Sequence, residues 1–114
     1  MQIHDNSYKQ RILRRIYKNV MKKEEMFKRF IDTLCRSSSV KEVYLVGSRA
    51  RGDHKPSSDF DIVVVTENDD IIDVAEHVSS LRKEPVPLDI IVLRREDLEN
   101  PLYREMLRNK RKLC

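Results

Sequence analysis

Cysteine is nearly absent from this chain. Only Cys35 and Cys114 occur in 114 residues. Two distant thiols make neither a disulfide framework nor a zinc motif. They are therefore expected to be reduced, in a cytoplasmic protein. His4, His54 and His77 lack the spacing of zinc ligands. Glycine occurs twice, at Gly47 and Gly52, which is too few for a dinucleotide fingerprint, and no Lys-Ser/Thr pair follows to make a Walker A loop. No signal peptide and no long apolar run is present, so no membrane partner is expected. The basic ends lack interleaved aromatics, which gives little support to a stacking surface for single strands. There is no internal repeat and no low-complexity segment.

What is present is charge, at 37% of residues, beside 39% hydrophobic residues. A chain of this length reads as one domain, 1–114, able to hide roughly 60–70% of its unfolded surface. The net charge of +4 conceals a division. Residues 1–36 carry ten Lys/Arg against four Asp/Glu, residues 37–100 eight against fourteen, and residues 101–114 five against one. An acidic middle between basic ends suits a cation-binding centre flanked by surfaces that attract nucleotide phosphates, RNA or an acidic protein. The same distribution also reads as solvated helix faces.

Residues 7–36 read as a basic helical segment, unbroken or joined near Met21–Glu24, with Ser7 as N-cap. Ile12, Ile16, Val20, Phe27, Ile31 and Leu34 form an apolar stripe, expected to pack on a sheet. Arg11, Arg14, Arg15, Lys18 and Lys22 occupy the opposite face. Val43–Val46 reads as a buried strand ending at Gly47. Phe60–Thr66 is the strongest strand signal. A helix is expected from an N-cap near Asn68 or Asp69 to about Lys83, then a strand over Leu88–Leu93 and a last helix from Pro101 to about Arg108. The tail Lys110–Lys112 is expected to fray. The fold class is α/β: a small sheet with helices packed against it.

The chemistry concentrates between Gly47 and Asp89. Asp59 and Asp61 stand two apart at a strand start, which puts both carboxylates on one face. Paired carboxylates repel unless a cation lies between them, and Mg²⁺ prefers hard oxygen ligands. Asp89 heads another strand and completes a set of three if the two strands are neighbours. Three carboxylates can hold two metal ions about 3.5–4 Å apart, the arrangement used in phosphoryl transfer. Gly47-Ser48 follows a strand and precedes a helical turn, so its amides and the Ser48 hydroxyl can approach a phosphate. Arg49 and Arg51 add positive charge nearby.

Gly47-Ser48-x-Ala50-Arg51-Gly52, followed after five residues by Ser58-Asp59-x-Asp61-Ile62, resembles the signature of the polymerase-beta-like nucleotidyltransferases. It is most similar to their minimal nucleotidyltransferase branch, the antitoxin-side partner of HEPN-domain proteins. Leu88-Asp89-Ile90-Ile91 agrees with the third carboxylate of that family. The resemblance implies the polymerase-beta-like fold and two Mg²⁺ ions on Asp59, Asp61 and Asp89. It implies an NTP, ATP above all, whose triphosphate lies on Gly47 and Ser48, with Arg51 on phosphate or on a carboxylate. It implies transfer of a nucleoside monophosphate to an acceptor hydroxyl with release of pyrophosphate. The acceptor expected is a HEPN-type partner protein, with RNA or a small molecule as alternatives, and the assembly a hetero-complex or a homo-oligomer. The rival expectation is a non-catalytic antitoxin that neutralises a partner by binding.

Overall fold

A computed structural model describes residues 2–114, with side chains described from Tyr8 onward. The chain runs α1 (Gln2–Cys35), β1 (Glu42–Val46), α2 (Gly47–Arg51), β2 (Phe60–Thr66), α3 (Ile71–Ser80) and β3 (Leu88–Arg94). Two 3-10 turns, Arg95–Glu99 and Pro101–Tyr103, lead to α4 (Arg104–Leu107) and β4 (Arg111–Lys112). The sheet order is β3-β2-β1-β4. β1 is antiparallel to both β2 and β4, while β2 and β3 are parallel and joined through α3. The architecture is therefore mixed α/β with a four-stranded sheet.

The period of two in β2 sorts its side chains between two cores. Phe60, Ile62 and Val64 face α1 and α3, packing with Met26, Phe27, Phe30, Ile31, Leu34, Val74 and Val78. Val63 and Val65 face the other way, where Val46, Leu93 and Leu107 close over them with Tyr44, Leu98, Tyr103 and Met106. Each fully buried aliphatic side chain here contributes roughly 1.5–3 kcal/mol relative to exposure. Arg95 donates to Glu42 at 2.8 Å and so fastens the first 3-10 turn to β1.

Helix α3 is shorter than the sequence suggests. Its cap is Asp70, whose side chain accepts from the Asp73 amide, and it stops at Ser80. Beyond it Arg82 donates to the carbonyls of Val86 and Leu88, a bend that a continued helix would not allow.

Four further expectations need correction. The apolar stripe of α1 does not pack along its length: Phe27, Ile31 and Leu34 are buried, whereas Ile12 and Ile16 are exposed. The helix is unbroken and runs past the edge of the sheet, and Ser7 lies inside it. The tail does not fray. Leu113 donates to the Val43 carbonyl at 2.7 Å and Val43 donates to the Cys114 carbonyl at 3.1 Å, which adds β4 to the sheet. The thiols are not reduced either. Cys35 and Cys114 form a disulfide, with Cα atoms 6.1 Å apart, because β4 brings the chain's end beside the end of α1.

Candidate active site

Strand β1 ends at Val46, and the chain turns at once. Gly47 has φ +73°, a left-handed conformation that side chains disfavour. A Cβ at this position would lie 2.4 Å from Asp61 Oδ2, so any side chain here would force the Asp61 carboxylate to move. The short helix α2 follows, and no side chain caps its first turn. Gly52, with φ +86°, closes it by donating to the Ser48 carbonyl at 2.9 Å.

The sequence-derived residues gather where these elements meet. Asp61 is the second residue of β2, in register with Val46 on one side and Asp89 on the other. Gly47 therefore packs against the same carboxylate that faces Asp89. Asp59 lies just before β2, exposed, yet close enough to act on Asp61. Burial, then the charge and hydrogen bonding of Asp89, then the charge of Asp59 push the Asp61 carboxyl above its ordinary value, while Arg51 pulls it down. Ser48 is half-buried in the first turn of α2. Arg51 ends that helix and turns to Asp53, its Nε 3.1 Å from Asp53 Oδ2. His54 is exposed in the following loop.

The three carboxylates Asp59, Asp61 and Asp89 carry more negative charge than Arg51, the cation that acts on Asp61, offsets. That donor set fits a hard divalent ion in type, since only carboxylate oxygens face one another. Among the described residues, no three His, Cys, Asp or Glu side chains are drawn together tightly enough to enclose a metal. Asp61 and Asp89 are paired by the sheet, whereas Asp59 is held only by the preceding loop.

Sequence reasoning missed how that loop is held. Arg49 is 6% exposed. Its Nε and Nη2 both donate to the Ser58 carbonyl, at 3.2 and 2.9 Å, and its Nη1 meets Glu24 Oε1 at 2.9 Å. The guanidinium lies 3.8 Å from the centre of the Phe60 ring. Phe60 in turn stacks on Phe27 with centroids 4.0 Å apart. One planar cation thus ties the residues on both sides of Asp59 to α1. An arginine at the motif's variable position between Ser48 and Ala50 is the available signal.

The protein-family model described as "Nucleotidyltransferase domain" matches residues 27–114. No curated protein matches the chain. Among solved structures, the chain is similar to a candidate nucleotidyltransferase from Sulfolobus solfataricus, at 24% identity, with a TM-score of 0.60. That likeness covers 85% of this chain and 84% of the other, and it is a likeness of fold.

Proposed function

The chain belongs to the nucleotidyltransferase domain family, and from that premise we propose that it transfers AMP from ATP to a hydroxyl of a partner protein. The observation that carries the reading is the contact between turn and carboxylates: Gly47 packs on Asp61, and Asp61 is in register with Asp89. A triphosphate seated on the turn lies beside the acidic cluster.

Gly47 and Ser48 hold the triphosphate through backbone amides and the Ser48 hydroxyl. Arg51, released from Asp53, is the cation nearest to it. The acceptor oxygen attacks the α-phosphorus, its bond to phosphorus forms, and the bond to the bridging oxygen breaks to release pyrophosphate. Asp89 takes the acceptor's proton. Asp59, Asp61 and Asp89 are the residues that would hold two Mg²⁺ ions, which supply charge neutralisation for the phosphates when bound. Arg49 acts through the loop, keeping Asp59 beside Asp61.

A HEPN-type toxin is the partner this reading favours, with the whole chain acting as one domain. No helix among the described residues is long and apolar enough to cross a membrane. The test incubates the protein with labelled ATP, Mg²⁺ and candidate acceptors, and reads added AMP on the acceptor by mass. Absence of transfer to protein, RNA and small molecules alike, with Asp61→Ala indistinguishable from wild type, refutes it.

A second reading, neutralisation by binding alone, is favoured by one observation: the exposed apolar residues on the first half of α1. If Asp61→Ala still neutralises its partner, binding suffices.

A further inference from the structure

Helix α1 is 34 residues long, yet among its residues with described side chains, Tyr8 onward, the first buried one is Met26. The family match begins at Phe27, where the helix meets the sheet. The upstream half is therefore an overhang, outside the matched span. Its residues 8–23 include seven Lys/Arg and no Asp/Glu. Leu13 is 63% exposed and Tyr17 66%, and Tyr8, Ile12, Ile16 and Met21 are also open.

At about 100° per residue, Ile12, Leu13, Ile16, Tyr17 and Val20 fall on one arc. Arg11, Arg14, Arg15, Lys18 and Lys22 fall on the opposite arc. The apolar arc is the upstream continuation of the one that seats Phe27, Ile31 and Leu34 on the sheet. Its Ile16–Lys23 part runs beside the loop that holds Pro56 and Ser57. A recess of about 190 Å³ lies in that angle, lined by Ile16, Asn19, Val20 and Lys23 with Pro56 and Ser57 of the loop before Asp59. A second recess is framed by Leu13 and Tyr17 with Arg14 and Lys18.

We propose that this overhang is a docking surface for an acidic amphipathic helix of another protein, seated beside the loop that leads to Asp59. Exposed aliphatic and aromatic side chains in one stripe mark an interface, and a helix laid in a groove is the common way to cover such a stripe. Charge chooses the occupant. A second copy paired through the same apolar arc would bring Arg14, Lys18 and Lys23 of both copies to one seam, with no Asp or Glu in residues 8–23 to offset them. Acidic side chains on a partner helix meet Arg14, Lys18 and Lys23 where these border the apolar residues. A flat bilayer would not reach into the recess that Ile16 and Val20 share with Pro56 and Ser57. Nucleic acid would engage the basic arc and leave Leu13, Ile16 and Tyr17 in water. Docking does not depend on transfer, so each is measured separately.

The experiment uses the full chain and a synthetic helical peptide with Leu on one face and Glu on the other, titrated by fluorescence anisotropy at physiological salt. Binding is expected. It is expected to weaken at least about tenfold in the Leu13→Ser/Ile16→Ser double variant, whose melting temperature stays that of wild type because both positions are exposed. A peptide with Lys in place of Glu is expected to bind at least about tenfold more weakly. No binding of the Glu peptide, or equal binding by the variant or of the Lys peptide, overturns the proposal. So does a wild-type dimer that the double variant dissociates. Tighter binding to anionic vesicles or to an RNA oligonucleotide than to the peptide overturns it as well.

Discussion

Replacing Arg49 by Met separates the cation from its volume. Methionine keeps an unbranched stem over Phe60, so packing is largely retained, while two N–H donors to the Ser58 carbonyl and the ion pair with Glu24 are lost. A hydrogen bond to a charged group contributes about 1.5–3 kcal/mol, and a desolvated cation–π contact about 1–2 kcal/mol. Against this stands the desolvation of a buried guanidinium, which the variant relieves. The two donors share one acceptor and Glu24 is partly solvated, so the net loss expected is about 2–4 kcal/mol. For a domain of this size that lowers the melting temperature by about 10–20 °C. The rate should fall further than stability implies. A displacement of about 1 Å at a reacting group can cost about 100-fold, and Arg49 fixes the residues on both sides of Asp59. The assay is thermal unfolding followed by nucleotidyl transfer at a temperature where both proteins are folded, with Mg²⁺ varied. The fall in kcat should be accompanied by a higher Mg²⁺ requirement, and Arg49→Lys should recover only part of it. An unchanged melting temperature would refute the account of Arg49 as a tie between loop and helix. Lost stability with an unchanged kcat and Mg²⁺ requirement would reduce it to a packing residue.

Gly47→Ala should lose transfer by at least about 100-fold, because its Cβ displaces the Asp61 carboxylate and its φ disfavours any side chain; full activity would show that the turn adapts. Asp61→Asn should abolish transfer yet raise stability in metal-free buffer. The native carboxyl is raised mainly by burial, then by Asp89 and Asp59, so its charged form is destabilising at neutral pH. That cost should disappear as pH falls through the raised value toward the ordinary one, so the variant's advantage in chemical denaturation should be present at pH 7 and lost in acid. Reducing the disulfide, or replacing Cys35 by Ser, should cost about 4 kcal/mol, since the bond closes a loop between residues 79 apart. Hydrogen exchange at Leu113 and Val43 should rise with it, and an unchanged unfolding midpoint would count against this.

Legibility followed the length of the signal. Val63, Val64 and Val65 with Gly47, Asp59 and Asp61 make the strand-turn-strand segment plain, because a β-branched run at the heart of a seven-residue strand and a glycine turn leave strong marks. Asp89 was legible as a strand head, whereas its register with Asp61 depends on the crossover through α3. In the sequence Arg49 shows only as nearby charge, since arginine is usually exposed and its burial depends on Phe27 and Glu24, more than twenty positions upstream. The apolar stripe of α1 was legible throughout, but periodicity does not say where the sheet beneath a helix ends. Strand β4 spans two residues, too few for alternation to show. Without it nothing in the sequence draws Cys114 toward Cys35.

That crosslink divides the chain topologically. Every residue of the acidic cluster, the turn at Gly47 and the loop that carries Asp59 lies inside a covalently closed ring from Cys35 to Cys114. The overhang of α1 lies wholly outside it. A protease that cuts once in the exposed stretch around Lys55 opens the ring but leaves one molecule, with both halves still tethered to α1. The same protease cutting once upstream of Met26 sheds the basic arm and leaves the ring whole. Under oxidising conditions, therefore, one clip in the arm can strip the molecule of its docking helix without breaking the chain that bears the acidic cluster.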